Sequence, residues 1–358
     1  MCTPMRSPMR SLAPLRLRLR PAGTPRPLRG LATVCSPSPA ATAAAVAPAL
    51  SSPSSSSSFA LPTLCAPDPA AARDPRHVAS VAAHLAASGI LRVRLGFADP
   101  ASAYLAGLIG SLNARHGHRL PISHSASRGW FWDVRPAGAG SSAGAPGPAL
   151  QTPRHRARSE TMGDFPWHTD CSYESPTPRY VALHVLQHDR RGGGTFSVMS
   201  VARLAARLSP RARAALAADD AFRIAIPAEF VKDPARTSIV GRVLACRAGR
   251  PVMRYRADIF SPLGDEAARA LDELDAKLRD PQVHARATLH LSPAELPSGS
   301  VIFVDNWRWL HARNHVADPE RHLRRVRWDA LPFEGDAGLE GFDGVDAVGS
   351  VGGAERGL

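Results

Sequence analysis

Lysine is almost absent from this chain, since only Lys232 and Lys277 among its 44 basic residues are lysines. Acidic residues are missing from residues 1–67, which hold seven arginines. Those arginines supply seven of the 13 net positive charges and leave a net charge of +6 on residues 68–358. A nucleic-acid-binding domain needs a basic stripe with interleaved aromatic residues, and this small excess without a lysine-rich patch does not supply one. We therefore expect no nucleic acid among the partners.

Paired cysteines and long apolar runs are missing as well. The five cysteines are widely spaced and none forms a CxxC pair, which excludes a disulfide scaffold and a four-cysteine zinc site. No run of about 18 apolar residues occurs. An Ala-rich stretch at residues 41–50 is short and contains Pro48. We therefore expect no membrane partner.

Residues 1–67 are rich in Arg, Ser, Pro and Ala and poor in large apolar residues, so they cannot form a packed core. We interpret them as a disordered leader. An acid-free N-terminus rich in Arg and Ser is also typical of an organellar transit peptide, but frequent prolines weaken the amphipathic helix that import needs. The expected localisation is therefore mitochondrial or cytoplasmic. Residues 336–358 are expected to form a disordered C-terminal tail.

The residues between 68 and 335 have the pattern of one folded domain. Apolar spacing predicts helices over 77–88, 201–208, 210–218 and 265–279, and one from Asp99, with Pro100 at its first position, to about His116. Strands are expected at 90–95, 179–187, 222–227, 238–246, 252–257, 287–291, 300–304 and 322–331. A stretch rich in Gly, Ala and Pro at 136–158 is interpreted as a flexible insertion. Many short strands with few helices indicate a mainly β fold with flanking helices, a sandwich or barrel rather than a doubly wound sheet.

His168 and Asp170 lie two residues apart in the segment Phe165–Tyr173. At the end of an extended segment, side chains at i and i+2 project to one side, so these two could bind one metal ion together. A third ligand must come from elsewhere, and the best candidate is His311. Two histidines and one carboxylate leave three positions open on the metal, which a non-haem Fe(II) oxygenase needs for a co-substrate and O2. The tripeptide alone is weak evidence, because 14 histidines produce one by chance fairly often.

Arginines and a glycine-rich turn accompany these residues. Arg321, Arg325 and Arg327 share one face of an expected strand, where a planar guanidinium could bind a carboxylate through two hydrogen bonds. The glycines of Gly192–Thr195 permit a tight turn, and the threonine hydroxyl could donate a further hydrogen bond to the same carboxylate.

In this order along the chain, the segments 167–170, 193–195, 305–311 and 321–325 resemble the taurine dioxygenase/TfdA-like family of Fe(II)- and 2-oxoglutarate-dependent oxygenases. The resemblance spans roughly residues 75–335 and implies a double-stranded β-helix, or jelly roll, with extra helices. It further implies three iron ligands, two residues that bind 2-oxoglutarate and, grouped with the co-substrate residues, one arginine that in some members reaches the substrate or supports the site. The iron ligands are His168, Asp170 and His311. The residues that bind 2-oxoglutarate are Thr195 and Arg321, and the further arginine is Arg325. The register of the arginines is open by a few residues, because the same strand also contains Arg324 and Arg327.

The reaction implied by the resemblance uses Fe(II), 2-oxoglutarate and O2 to oxidise a C–H bond of a small molecule and releases succinate and CO2. The several arginines near the expected site favour an anionic substrate. Asp170 favours hydroxylation, desaturation or oxidative cleavage over halogenation, because halogenases of this broad group lack that carboxylate. The alternative is a catalytically silent jelly-roll protein that binds or regulates. The complete set of three ligands counts against it, since a decayed site is expected to lose one of them.

Substrate contacts are expected from a polar and aromatic segment at residues 123–132. Its candidate contact residues are His124, Arg128 and Trp130. The expected partner is a small-molecule substrate, and a homo-oligomer is compatible with these residues.

Overall fold

The computed structural model describes residues 60–121, 129–136, 157–231 and 233–329. Their helices are α1 Pro75–Ala87, α2 Ala103–His116, α3 Val201–Ala205, α4 Pro210–Leu216, α5 Asp265–Arg279 and α6 Pro281–Ala287. Their strands are β1 Thr63–Ala66, β2 Ile90–Leu95, β3 Trp132–Val134, β4 Phe165–His168, β5 Tyr180–Gln187, β6 Phe196–Ser200, β7 Phe222–Ala225, β8 Ser238–Gly241, β9 Leu244–Arg247, β10 Arg250–Met253, β11 Phe260–Pro262, β12 Thr288–Leu291, β13 Ser300–Asp305, β14 Trp309–Arg313 and β15 His322–Trp328. Within these described residues, every helix is too short or too polar to cross a membrane.

The larger sheet has six strands in the order β1-β2-β13-β5-β15-β3. β1 pairs with β2 in parallel, and the other neighbours pair antiparallel. Successive side chains of a strand point to opposite faces, and both faces of this sheet are buried. One face packs Ala182 and Val326 against α1 and α2, while the other packs Leu183 and Leu323 toward a second sheet. We call the second of these the inner face.

The second sheet has four antiparallel strands in the order β12-β6-β14-β4. Its side chains Phe196, Val198 and Trp309 share one apolar core with the inner face of the larger sheet. Two facing, mainly antiparallel sheets with helices outside them form the jelly roll, although the sheets are not closed into a barrel. The prediction of a mainly β fold with flanking helices, a double-stranded β-helix, is confirmed.

A further layer covers the outer face of the smaller sheet. It consists of α3 to α6 and a three-stranded sheet, β11-β7-β8, and it packs Leu274 and Phe222 against Met199 and Leu310. A two-stranded sheet, β10-β9, adds Leu244 and Met253 to the same core. This layer supports the strands that carry the candidate site.

The folded domain includes residues that precede the boundary expected from the sequence. β1, Thr63–Ala66, lies inside residues 1–67, the stretch expected to be a disordered leader. This segment is a strand because it pairs with the edge of β2. That correction follows from a partner strand about 30 residues away, which local composition does not reveal. The insertion at 136–158 and the tail at 336–358 lie mainly or wholly outside the described residues.

Two further element bounds differ from the sequence-based expectations. α2 begins at Ala103 and not at Asp99 or Pro100, because the Asp99 carboxylate accepts hydrogen bonds from the backbone N–H groups of Ala103 and Tyr104. The single strand expected at 238–246 is divided into β8 and β9. The short strands β3, β4, β6, β11 and β14 are additional to the expected set, as is β1.

Candidate active site

Two histidines face each other across neighbouring strands of the smaller sheet. His168 is the last residue of β4, and its partner in the β14 register is His311. Directly opposed residues of an antiparallel pair project to the same face. His311 is also opposite Val198, a residue of the apolar core between the two sheets. Both imidazoles therefore project from the smaller sheet toward the inner face of the larger one. The two rings are buried and their centroids are 4.2 Å apart.

Asp170 completes the cluster from the turn that follows β4. Its Oδ1 atom lies 3.7 Å from Nε2 of His168 and 3.5 Å from Nε2 of His311. One ligand atom from each of the three residues lies within 4.8 Å of the other two, and all three side chains are buried. The structure therefore brings together the three residues that the sequence proposed as metal ligands.

Hydrogen bonds from distant segments hold the turn that carries Asp170. The backbone N–H of Thr169 donates to the carbonyl of Tyr255 at 2.7 Å. The backbone N–H of Asp170 donates to Oδ1 of Asn306 at 2.7 Å, and Nδ2 of Asn306 donates to the carbonyls of Asp170 at 2.9 Å and Pro178 at 2.8 Å. Asn306 lies between β13 and β14 and is fully buried. Its amide thus satisfies both backbone polar groups of Asp170.

The environment of His168 keeps its ring neutral and oriented. Burial, and next the neighbouring His311, hold the pKa of His168 well below its ordinary value. Its Nδ1 atom lies 2.7 Å from the carbonyl oxygen of Pro166, which accepts a hydrogen bond when Nδ1 carries the proton. Phe165 stacks on the ring with a centroid distance of 3.6 Å and an interplanar angle of 13°. This arrangement leaves the lone pair of Nε2 directed toward Asp170.

Asp170 is ionised in the folded protein. Burial alone would raise its pKa, but the Arg325 guanidinium and then His311 hold the pKa of Asp170 well below its usual range. Nη1 of Arg325 donates to Oδ1 at 3.3 Å and to Oδ2 at 3.1 Å. Arg325 therefore contacts a proposed metal ligand directly.

The donor set fits a divalent iron ion. Two imidazole nitrogens and one carboxylate oxygen on a single side are the ligands that Fe(II) oxygenases use, and the other positions stay open. Ligand atoms about 2.1 Å from an ion and at right angles are about 3 Å apart. The separations of 3.5 and 3.7 Å are close to this spacing. A neutral imidazole and an ionised carboxylate are also the protonation states that metal binding requires.

A pocket on the inner face leads to Arg321. Apolar residues of both sheets line it, among them Leu183, Phe196 and Leu323. Arg321 is 4% exposed, and burial followed by the neighbouring Arg313 lowers its pKa to about 10, so it stays a cation at neutral pH. A buried guanidinium with apolar surroundings favours an incoming carboxylate, which would restore the hydrogen bonds lost on burial.

The glycine-rich turn brings the chain close to that arginine. Gly194 has φ +68°, and a Cβ atom at this position would lie 2.9 Å from Nε of Arg321. Only glycine combines this backbone conformation with so close an approach. Thr195 follows, is partly exposed and immediately precedes β6. Its proposed hydrogen bond to 2-oxoglutarate stays a prediction.

Arg313 is a buried residue that the sequence analysis did not single out. It lies two residues after His311 in β14 and projects from the same face. Its guanidinium donates to the carbonyls of Ser159 at 3.2 Å and Thr161 at 2.9 Å, and also to that of Gly163. Arg313 therefore fastens the segment that leads into β4. The sequence signal for Arg313 is its position two residues after a candidate ligand. Its role could not be predicted from this signal, because the carbonyls it binds lie about 150 residues away.

The expected substrate contacts receive less support. His124 and Arg128 lie outside the described residues. Trp130 is partly buried and packs with the core between α1, α2 and the larger sheet, on the opposite side of that sheet from its inner face. A substrate contact of Trp130 stays a prediction that this position does not favour.

Comparison with known proteins agrees with this arrangement. The family described as "Taurine catabolism dioxygenase TauD, TfdA family" matches residues 67–327. A search of curated proteins finds no match. A solved asparagine oxygenase in complex with Fe(II), 2S,3S-3-hydroxyasparagine and succinate has a TM-score of 0.51 at 20% identity, covering 72% of this chain and 85% of that chain. The non-heme iron oxygenase OrfP in complex with Fe and alpha-ketoglutaric acid has a TM-score of 0.51 at 18% identity, covering 74% of this chain and 86% of that chain. At these identities the likeness is one of fold.

Proposed function

The chain belongs to the taurine catabolism dioxygenase TauD, TfdA family, and from this premise we propose that His168, Asp170 and His311 bind the iron of its active site. The chain is an Fe(II)- and 2-oxoglutarate-dependent dioxygenase. When bound, Fe(II), 2-oxoglutarate and O2 supply the oxidation of an unactivated C–H bond, with release of succinate and CO2. The observation that carries the ligand assignment is the buried cluster in which one oxygen of Asp170 lies within 3.7 Å of both imidazoles.

The protein's own contribution is to hold the ligands in place and in the correct protonation states. The β4–β14 register sets the two histidines opposite each other, and Asn306 fixes the backbone of Asp170. The stacked Phe165 fixes the plane of one ring. Because these contacts are made by buried groups, the site needs little rearrangement to accept the ion.

The 2-oxoglutarate site is assigned to the pocket beside Arg321. The distal carboxylate would pair with this guanidinium, and Thr195 would add a hydrogen bond from the neighbouring turn. The support is the burial of Arg321 at 4% exposure and its position in a pocket between the two sheets, the space into which the metal cluster also projects. An apolar lining excludes water around this ion pair and strengthens it.

The primary substrate is a small molecule that is hydroxylated or desaturated, and free amino acids are the first class to test. The two solved structures compared above contain hydroxyasparagine in one case and 2-oxoglutarate in the other, and a further OrfP structure contains (3S)-hydroxy-L-Arg. The alternative of a catalytically silent binding protein of the same fold is disfavoured by the complete, preorganised ligand set.

The assignment is tested by adding Fe(II) and 2-oxoglutarate to the metal-free protein under anaerobic conditions. The wild type should develop a metal-to-ligand charge-transfer absorption band and release succinate when O2 is admitted. His168→Ala should lose both signals because it removes an iron ligand. His290→Ala, which changes an exposed histidine of β12, is the matched control and should keep both. A wild type with neither signal would favour the silent alternative, whereas a band in His168→Ala would make the ligand assignment wrong.

A further inference from the structure

Two arginines of β15 project into the space beside Asp170. Arg325 is opposite Leu183 of β5, which belongs to the apolar core between the two sheets. Alternate residues of a strand share a face, so Arg327 lies on the inner face with it. Arg325 donates to Asp170, whereas Nη1 of Arg327 lies 4.0 Å from Oε1 of Glu174. Arg327 is thus a second guanidinium near the metal cluster, with a different neighbour.

Arg327 is a desolvated cation with unused hydrogen-bonding capacity. Its side chain is 15% exposed, and burial lowers its pKa, while Asp170 and Asp329 oppose that shift. The separation from Glu174 exceeds the length of a hydrogen bond. Its Nε atom is buried without a hydrogen-bond partner in the part of the chain that the structure describes. A guanidinium in this state is stabilised by an anion that reaches it.

Glu174 places a partly exposed acid next to this cation. Its side chain is 39% exposed, and its backbone N–H donates to the carbonyl of Cys171 at 2.8 Å, which closes the turn after Asp170. The preceding Tyr173 is buried and stacks on Phe230 with centroids 5.2 Å apart. Burial, and next the charge of Glu174, raises the pKa of Tyr173, so its hydroxyl stays protonated. A cation, an acid and a buried aromatic residue that senses the charge of this acid therefore lie in the same region beside Asp170.

We propose that Arg327 and Glu174 bind the two charged groups of a free α-amino acid, with the carboxylate on Arg327 and the ammonium group on Glu174. This deepens the proposed function and rests on it. An α-amino acid carries both charges on one carbon, so it can contact two side chains whose charged atoms are 4.0 Å apart. Anchoring at this point holds the neighbouring carbon atoms beside Asp170, where oxidation takes place.

The pair also predicts which close analogues are rejected. An acid that lacks the ammonium group would set its carboxylate beside Glu174 without compensation, and an amine that lacks the carboxylate would set its cation beside Arg327. Such like-charge contacts are unfavourable beside partly desolvated side chains such as these two. Loss of one charge-assisted hydrogen bond corresponds to about a 10- to 100-fold weaker interaction. Discrimination of this size against both analogues distinguishes amino-acid recognition from general attraction of anions.

The first arm of the test uses the wild-type protein with Fe(II), 2-oxoglutarate and O2. Each of the 20 common L-amino acids is added in turn, and succinate formation is compared with the uncoupled reaction. At least one should stimulate turnover and appear as an oxidised product by mass spectrometry. For L-arginine the matched probes are agmatine, which lacks the carboxylate, and 5-guanidinopentanoate, which lacks the ammonium group. The corresponding pair is prepared for whichever amino acid is most active, and both probes should have a kcat/KM lower by about 10-fold or more.

The second arm uses variants of the two residues and one control. Arg327→Met and Glu174→Gln should raise KM for the active amino acid about 10- to 100-fold, whereas the charge-transfer band with Fe(II) and 2-oxoglutarate stays unchanged. Arg327→Lys, which keeps the charge, should recover part of the loss. Glu174→Gln should also reduce the discrimination against the analogue without the ammonium group. Arg324→Met is the control, because Arg324 projects from the opposite face of β15 and pairs with Asp133.

Three outcomes would overturn the proposal. The first is a wild type that forms the charge-transfer band but is stimulated by none of the amino acids. The second is equal kcat/KM for an amino acid and its analogue without the ammonium group. The third is a Glu174→Gln variant with wild-type KM, and this arm holds even where Arg327→Met fails to fold, because Glu174 is partly exposed. Absence of the band in the wild type would instead count against the proposed dioxygenase function.

Discussion

Replacement of Asn306 tests whether the backbone clamp on Asp170 controls iron binding. The Asn306 side chain accepts one hydrogen bond and donates two, at 2.7, 2.9 and 2.8 Å, and it is fully buried. Asn306→Ala leaves one backbone N–H and two carbonyls without these partners. An unsatisfied buried polar group costs about 1–3 kcal/mol. Because water can enter the small space and satisfy part of the set, we expect the free energy of unfolding to fall by about 2–4 kcal/mol.

The same change should weaken iron binding beyond its effect on stability. Without the clamp the Asp170 backbone is free to move, and loss of a residue that orients a metal ligand commonly costs about 10- to 100-fold in metal affinity. Asn306→Asp has nearly the same shape and opens no cavity, but it exposes a carboxylate to two carbonyl oxygens. We expect it to lose at least as much iron affinity as Asn306→Ala, because the defect is in hydrogen bonding and not in packing.

Two measurements separate these effects. Urea unfolding of the metal-free variants gives the change in stability, and anaerobic Fe(II) titration in the presence of 2-oxoglutarate gives the affinity. Asn314→Ala, at an exposed position of the loop after β14, is the control and should alter neither. An Asn306→Ala protein that is less stable but binds iron with wild-type affinity would refute the positioning role. An unchanged free energy of unfolding would refute the hydrogen-bond reasoning itself.

Two further perturbations test the co-substrate pocket and the acid sensitivity of the fold. Gly194→Ala should raise the Kd for 2-oxoglutarate in calorimetric titration while iron affinity is retained, because a Cβ atom would lie 2.9 Å from Nε of Arg321. Gly192→Ala is the control. It has similar backbone strain but no such contact, so it should leave the Kd unchanged. Burial lowers the pKa of His118 to about 4, so the unfolded chain takes up this proton first as the pH falls below about 6.5, and stability is lost between there and pH 4. At pH 5 this difference in proton uptake lowers the free energy of unfolding by about 2 kcal/mol. In urea unfolding, His118→Asn should therefore lose less stability than the wild type between pH 7 and pH 5. Equal losses in the two proteins would contradict the role assigned to His118.

The local pattern was sufficient for the longer elements and for the ligand tripeptide. α5 has 15 residues, and its buried positions 267, 270, 274 and 278 recur every three or four residues. β5 has eight residues and forms a mainly apolar run whose first six residues are all buried. His168 and Asp170 were recognisable because two ligands at i and i+2 need only an extended backbone. His311 was recognisable by its residue type and its position relative to the arginines. Its place directly opposite His168 depends on the β4–β14 register, which no local signal encodes.

The residues that hold the ligands could not be predicted because their partners are distant in sequence. Asn306 and Asp170 are 136 residues apart, and Arg313 and Thr161 are 152 residues apart. The strands that carry the site, β4, β6 and β14, have only four or five residues each, too few for a hydrophobic period to appear. Their position in the sheet comes from pairing with one another. β1 escaped notice for the same reason, since its partner strand defines it.

The arginines also explain what becomes of the positive charge in the folded domain. Arg313 and Arg321 are buried near one another, and Arg325 and Arg327 both interact electrostatically with the ionised Asp170. A surface that binds a polyanion needs exposed, mobile cations, whereas these guanidinium groups are desolvated and held by the sheets. Arg325 already pairs with Asp170, and Arg313 already donates to three carbonyls. Desolvation makes Arg321 and Arg327 costly unless an anion is bound, so the interior of the jelly roll is preorganised for small carboxylates. A dicarboxylic co-substrate at Arg321 and an amino-acid carboxylate at Arg327 would balance this charge at two separate points.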